Sequence, residues 1–166
     1  MDRVRYEGYG PGDSAVLVDC LSDDPGRTAW AVRGAFLSHG GHPGAPGSVA
    51  YLFNEVGRLE YPPGAGLDSR LGLAWHAGAE DVVVSRAGAV EVLTDPTELE
   101  AVRSRLARAG CEAAASEVTC RASITVELSG AAAAEMAGLL RALGSLHDVR
   151  SIYTNAEIAG ELLASV

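Results

Sequence analysis

The segment AVLVDCL at residues 15–21 constrains the fold more than any other part of the sequence, because both of its alternating faces are largely apolar. A strand of this kind needs neighbouring strands on both sides and a cover of helices. We therefore predict a central strand at residues 15–21 in a layered fold that contains both helices and strands.

A helix is predicted from residue 27 to about residue 39. Its apolar stripe contains Ala29, Val32 and Phe36, and Gly40 is placed to end the helix in a left-handed cap. The helix therefore follows the central strand directly and has one face suited to cover it.

The next segment predicts a pair of strands. The loop HPGAPG at residues 42–47 cannot continue the helix, and alternating residues at 49–53 and 58–61 favour strands joined by a short turn. The order up to residue 61 is thus β-α-β-β. This order lacks the closing helix and strand of a ferredoxin-like unit.

The stretch PPGAG at residues 62–66 is the predicted module boundary, because proline and glycine break both helical and strand periodicity. Beyond it the pattern predicts a helix from residue 67 and a hairpin of two strands at 82–85 and 89–93. Another helix follows, with Asp95 as its cap and Pro96 at its first position.

The last part of the chain supplies what the first module lacks. An extended segment at about 113–128 leads to a long helix capped by Ser129, and a final strand is predicted at 149–153. We therefore predict an α+β protein with two ferredoxin-like (split βαβ) modules, the second inserted in the first.

The predicted domain bounds follow from this order of elements. The first domain is discontinuous and comprises residues 1–62 plus 122–166, and the inserted second domain comprises residues 63–121. A consecutive division near Pro62 is the alternative.

Composition limits the environment and the partners. The 13 arginines, with no lysine, face 22 acidic residues, so the net charge of −9 repels phosphate on average. The three cysteines form no CxxC pair and there is no apolar leader or bilayer-length segment, which favours the cytoplasm and no membrane contact.

Enzymatic and metal chemistry have little support in the sequence. No motif positions a nucleophile, and His39 and His42 lie three residues apart without a third ligand nearby. We expect no catalytic residue, no metal and no cofactor.

The glycine-rich run YEGYGPGD at residues 6–13 is a weak match to a phosphate loop. Its spacing fits neither common phosphate-binding pattern, and a strand follows where a helix should begin. A turn with unusual backbone angles is the favoured interpretation. Tyr6 and Tyr9 flank this turn and are candidates for stacking on a base.

The first helix carries the best candidate recognition edge. Arg27 and Arg33 lie about two turns apart, and His39 follows near the helix end. Together with Tyr6 and Tyr9 they are the candidate contacts to nucleic acid or to the ribosome, and a solvated helix face is the alternative.

Nine segments, in fixed order, resemble the YebC/PmpR family of bacterial regulators, which has a mitochondrial relative that activates translation of a cytochrome oxidase subunit. They are RYEGYGPG, RTAWAVRGAF, SHGG, GSVAYLF, AGAEDV, VEVLTDP, SEVT, TVEL and NAEI. The resemblance implies a pair of ferredoxin-like domains. It also implies that this chain corresponds to the second and third domains, without the basic helical first domain of the family.

The resemblance implies regulation of gene expression. DNA-linked transcriptional regulation is the leading expectation, and a ribosome-associated factor that eases elongation through proline-rich sequences is an alternative. A protein-interaction module without nucleic-acid binding is another. The acidic charge weakens the expectation of nucleic acid as a partner and favours a basic protein segment as a further candidate.

Overall fold

The computed structural model describes residues 1–158 and divides the chain into two compact units. The first unit contains Met1–Asn54 and residues 121–158, and the second unit contains Glu55–Cys120. The chain therefore leaves the first unit, forms the second and returns. Residues 159–166, which the predicted first domain includes, lie outside the described residues.

Helices and strands alternate irregularly along the chain. In order they are β1 (Asp2–Gly10), β2 (Ser14–Ser22), α1 (Pro25–Ser38), β3 (His42–Gly44), β4 (Phe53–Tyr61), α2 (Leu71–Ala77), β5 (Asp81–Val84), β6 (Val90–Thr94), α3 (Leu99–Arg108), β7 (Ala115–Ala122), β8 (Val126–Glu127), α4 (Gly130–Gly144), β9 (Val149–Thr154) and β10 (Ala156–Glu157). The predicted α+β class, with two ferredoxin-like modules, is confirmed.

The first unit is built on a sheet with the order β3-β1-β2-β9, in which every neighbouring pair is antiparallel. The central position predicted for residues 15–21 is confirmed, since β2 lies between β1 and β9. Helices α1 and α4 pack on the face that carries Val16 and Val18, with Phe36 and Met136 completely buried.

Strand β1 was not predicted, because its glycines suggested a turn. A side chain at Gly8 would place its Cβ 2.7 Å from the Phe36 ring, and one at Gly10 would lie 2.8 Å from the Met136 sulfur. These glycines therefore let the helices approach the sheet closely within a regular strand. The turn itself is confined to Pro11–Asp13, where Gly12 has a φ of 68°.

The strand predicted at residues 49–53 was also wrong. Residues Ala50–Leu52 form a short 3-10 turn, and the strand of this region is β3, inside the predicted loop. The physical reason is that the amides of Val49 and Ala50 donate to the Glu7 carboxylate, so they do not enter a sheet ladder.

The second unit has the sheet order β5-β6-β4-β7. Helices α2 and α3 contribute Ala74 and Leu106 to its core, together with Leu59 and Tyr61 of β4. Most of β4 therefore belongs to this unit, so residues 55–62 pack with the second unit although the sequence placed them in the first. The pairing of β4 with β6 decides this.

Two helix starts were predicted from capping residues, with different outcomes. The Asp95 side chain accepts a hydrogen bond from the Thr97 amide, as predicted. Ser129 occupies the cap position of α4, but its side chain makes no capping hydrogen bond. None of the helices formed within residues 1–158 is both long enough and apolar enough to cross a membrane.

Candidate nucleic-acid interface

Helix α1 organises the candidate site. The Asp24 carboxylate accepts a hydrogen bond from the Arg27 amide at 3.2 Å, and Pro25 occupies the first turn, so the start of the helix is well defined. The buried face carries Val32 and Phe36. The side opposite those residues faces solvent and carries the charged residues.

Arg27 forms ion pairs with two carboxylates of the first unit. Its guanidinium lies 2.6 Å from the Asp23 carboxylate and 3.4 Å from that of Asp148. Asp148 also accepts a hydrogen bond from the Thr28 hydroxyl at 2.6 Å, and this bond, with Arg27 nearby, holds the pKa of Asp148 below its ordinary value. Arg27 thus ties the start of α1 to the loop before β9.

Arg33 is different, because it is exposed and no hydrogen bond or ion pair engages it within residues 1–158. Trp30 precedes it by three residues and is 76% exposed, and Leu37, four residues beyond Arg33, is 53% exposed. Spacings of three and four residues place these side chains on one face of a helix. We call Trp30, Arg33 and Leu37 the outer stripe of α1.

Sequence reasoning missed Trp30 and Leu37. The signal was present, since both residues lie opposite the apolar stripe formed by Val32 and Phe36. Large apolar residues on the polar side of an amphipathic helix indicate a contact surface more directly than the arginines do.

Tyr6 is half-buried beneath α1. Its hydroxyl donates to the Pro25 carbonyl at 3.1 Å, and its ring packs against the core of the first unit. Burial raises the pKa of Tyr6, and the nearby Cys20 and Asp148 raise it further. Tyr6 and Arg33 line the same groove of about 390 Å³ between α1 and the β1–β3 edge, so the structure brings these two predicted residues together.

Tyr9 lies on the opposite face of the sheet from Tyr6. Successive side chains of a strand alternate in direction, so residues three apart point to opposite sides. The Tyr9 ring stacks on His42, with ring centroids 5.0 Å apart, and its hydroxyl donates to the Ser48 carbonyl. Tyr9 therefore does not join Arg33 in one surface.

His39 follows the last turn of α1 and is half-buried. Its Nδ1 atom lies 3.0 Å from the Ala35 carbonyl oxygen, and its ring lies against Gly138 of α4. This placement gives His39 a structural contact at the helix end. Within residues 1–158, His, Cys, Asp and Glu side chains form no group of three or more that could hold a metal ion.

Glu7 is a buried carboxylate that sequence reasoning did not single out. It is 8% exposed and accepts hydrogen bonds from the amides of Gly47, Val49 and Ala50 at 2.6, 3.0 and 2.7 Å. Burial opposes its ionisation, but the amide donors and Arg5 hold the pKa of Glu7 below its ordinary value. Glu7 thereby fixes the segment after β3.

Comparison with known proteins identifies the family. A sequence model described as the TACO1/YebC second and third domain matches residues 1–156. The chain belongs to this family. The resemblance seen in the nine sequence segments is therefore confirmed.

Individual relatives agree with this assignment. A "Probable transcriptional regulatory protein" of Halorhodospira halophila is 46% identical over 160 residues, which cover 96% of this chain and 65% of that protein. One from Methylococcus capsulatus is 48% identical over 165 residues, covering 99% of this chain and 66% of the relative. The chain thus spans somewhat less than two thirds of the length of these two family members.

A solved structure has the same fold. The crystal structure of a conserved hypothetical protein, Aq1575, from Aquifex aeolicus is 36% identical and superposes with a TM-score of 0.86. The match covers 98% of this chain and 67% of that chain. This chain therefore shares its fold with that protein.

Proposed function

We propose that this chain is part of a cytoplasmic, non-enzymatic regulator of transcription that contacts nucleic acid through the outer stripe of α1. The names of the relatives support the regulatory role. The contact itself rests on one observation, the exposed and unengaged guanidinium of Arg33 next to an exposed tryptophan.

Local charge supports this assignment. The chain carries a net charge of −9, but the sequence of α1, PGRTAWAVRGAFLS, contains two arginines and no carboxylate. Because Arg27 is paired with Asp23 and Asp148, Arg33 supplies the available positive charge. A single arginine fork contacts a phosphate effectively, although it adds little long-range attraction.

This surface predicts weak, salt-sensitive binding by the chain alone. Affinity for nucleic acid grows with the number of phosphates neutralised, and one free arginine neutralises about one. About one third of each of these relatives lies outside the matched region, and we propose that this additional segment supplies further contacts.

Replacement of Arg33 tests the proposal. We expect Arg33→Ala to weaken binding to fluorescein-labelled nucleic acid by roughly tenfold at low salt. The slope of log affinity against log salt concentration should fall by about one, which corresponds to the loss of one phosphate contact. Arg108→Ala is the matched control, because Arg108 is an exposed arginine on α3 and its loss changes the net charge equally. Equal effects of the two substitutions would contradict a contact at Arg33.

A ribosome-associated role in translation is the second candidate function. Trp30 favours it, because an exposed indole stacks on unpaired bases, which are common in folded RNA. Co-sedimentation with purified ribosomes, compared with gel shifts on duplex DNA, distinguishes the two. Binding only to ribosomes would replace the transcriptional proposal.

A further inference from the structure

We propose that the first unit binds an extended acidic peptide as an additional antiparallel strand beside β1, in the groove between that strand and α1. The partner is a segment of another protein in which acidic side chains alternate with apolar ones. This inference goes beyond the proposed function, because it concerns a protein ligand held by main-chain hydrogen bonds.

The outer edge of β1 is covered along only part of its length. Strand β1 pairs with β2 from Asp2 to Gly10, but on its other side β3 pairs only with Glu7, Gly8 and Tyr9. Within residues 1–158, no strand lies beside the first five residues of β1 on that side. Five residues of a strand extend about 17 Å, which is enough to pair with a short peptide.

Glu7 explains why β3 ends so early. Its side chain points away from α1, because its neighbour Gly8 faces the Phe36 ring. The Glu7 carboxylate accepts hydrogen bonds from three amides of the segment that follows β3. A chain held on that face of the sheet cannot continue along β1, so this contact keeps the edge open.

The main-chain groups of the open edge point outward in the pattern that a further strand needs. Pro43 has no amide hydrogen, so its pair with Gly8 is not a hydrogen-bonded pair. The hydrogen-bonded pairs on this side are therefore those of Glu7 and Tyr9. Because this pattern repeats every two residues, the amide and carbonyl of Arg3 also point to the open edge.

An apolar groove beside this edge can receive the side chains of the added strand. Its volume is about 390 Å³, and its apolar lining includes Val4, Tyr6, Ala29, Val32 and Pro43. Of these residues, only Val32 is fully buried, so apolar surface remains available. Alternate side chains of a strand point to one face, and strand-addition sites select their ligands through pockets for these side chains.

Charge favours an acidic partner. The exposed edge sequence DRVRY contains two arginines and one carboxylate, and Arg33 adds a cation from the α1 side of the groove. Arg5 pairs with Asp19, but neither Arg3 nor Arg33 makes an ion pair within residues 1–158. The carboxylates of a bound peptide would therefore lie near two available guanidinium groups.

A second copy of the chain fits the same edge less well. Two β1 edges paired antiparallel about Val4 would place Arg3 of one protomer opposite Arg5 of its partner. Like charges directly opposite each other destabilise a pair of strands. The arginines therefore oppose self-association and favour an acidic segment from another protein.

A fluorescein-labelled peptide of sequence Gly-Glu-Val-Glu-Ile-Glu-Gly is the probe. When its apolar side chains face α1, its glutamates lie opposite Arg3 and its neighbours, so the glutamate amides point to β1 and the valine and isoleucine amides point away. Two methylated forms test this geometry. One has methyl groups on the glutamate nitrogens, and the other has them on the valine and isoleucine nitrogens.

We expect fluorescence anisotropy to show binding of the unmodified peptide. Methylation of the glutamate nitrogens should weaken binding at least about tenfold, whereas methylation of the other two nitrogens should have little effect. A peptide with lysine in place of glutamate should bind at least about tenfold more weakly. Hydrogen exchange of the Arg3 amide should slow when the unmodified peptide binds.

Two substitutions on α1 locate the site on the protein. Ala29→Glu places a carboxylate in the groove, one turn before Arg33, and should weaken peptide binding about tenfold. Ala31→Glu is the matched control, because Ala31 is exposed on the same helix but does not line the groove. Far-UV circular dichroism of both variants checks that the fold is retained.

Several results would overturn the inference. They are an absence of binding, equal binding of the two methylated peptides, equal binding of the lysine and glutamate peptides, and equal effects of Ala29→Glu and Ala31→Glu. Sedimentation velocity adds one more test. A dimer of the chain that the glutamate peptide dissociates would assign the edge to a second copy instead.

Discussion

Helices α1 and α3 occupy equivalent layers of the two units, yet their solvent-facing sides differ. Each lies on a four-stranded sheet with a glycine beneath it. A Cβ atom at Gly8 would meet the Phe36 ring of α1, and one at Gly57 would lie 2.9 Å from the Cβ atom of Leu99 in α3. The buried sides of α1 and α3 therefore pack in the same way, each against a glycine of the sheet.

The solvent-facing sides of α1 and α3 differ in how their arginines are engaged. On α3, Arg103 pairs with Glu100 at 2.7 Å, and Arg105 donates to the Ala77 carbonyl. On α1, Arg33 has no such partner within residues 1–158, and Trp30 stands exposed beside it. The comparison teaches that arginines alone do not mark a contact surface. What distinguishes α1 is an unengaged arginine next to an exposed aromatic ring.

The largest expected loss of stability tests the buried sides of α1 and α3. Phe36 and Leu106 are 0% and 1% exposed, so Phe36→Ala and Leu106→Ala should each lower the free energy of unfolding by about 3–4 kcal/mol through loss of packing. Trp30→Ala on the outer side should change it by no more than about 0.5 kcal/mol. Urea denaturation followed by circular dichroism measures all three. A loss for Trp30→Ala as large as that for Phe36→Ala would break the distinction between the two sides.

A smaller loss of stability is expected when the buried carboxylate of Glu7, rather than the exposed one of Glu100, is replaced. Glu7→Gln should destabilise the protein by about 2 kcal/mol, because the amide side chain lacks the charge that the three backbone donors stabilise. Glu100→Gln, at an exposed ion pair on α3, should change stability by less than about 0.5 kcal/mol.

Acid titration adds an independent test of Glu7. Because folding lowers its pKa from the ordinary 4.5, its contribution is present above that pH and is lost as the pH falls through the lower pKa of the folded state. The stability difference between the unsubstituted chain and Glu7→Gln should therefore shrink as the pH falls from about 7 to about 3. A constant difference would exclude this role of the carboxylate.

The smallest effect concerns two exposed helix glycines. Gly34 of α1 and Gly72 of α2 have open space where a Cβ atom would lie, so alanine at either position should raise the unfolding free energy by about 0.5–1 kcal/mol. Gly138→Ala should give no such gain, because its Cβ atom would lie 3.0 Å from the His39 ring. Thermal unfolding of the three variants measures this. A loss at Gly34 would mean that the space beside Trp30 is not open.

Much of the fold was predictable from local patterns. The central strand, helix α1, the hairpin of β5 and β6, and the capped start near α3 all follow from periodicity and capping residues. Strand β1 was not predictable in this way. Its glycines resemble a turn unless the helix that packs on them is known, and a local pattern contains no information about that helix.

The candidate site was predictable only in part. Arg33 was found because its helix is evident in the sequence, and Tyr6 lies in the same groove. Tyr9 was grouped with Tyr6 because both flank the glycine run, but the alternation of β1 separates them. The error therefore follows directly from the missed strand.

The sequence by itself determined the family, the α+β class and the two-sided character of α1, because motif order and apolar periodicity are properties of the chain. Only the tertiary structure decided which polar side chains already have a hydrogen-bond or ion-pair partner within the protein. Glu7 finds its partners across a long sequence separation, and Arg27 pairs with the distant Asp148 as well as the nearby Asp23, whereas Arg33 finds no partner within residues 1–158. Whether a side chain is free for a ligand depends on distances that folding creates.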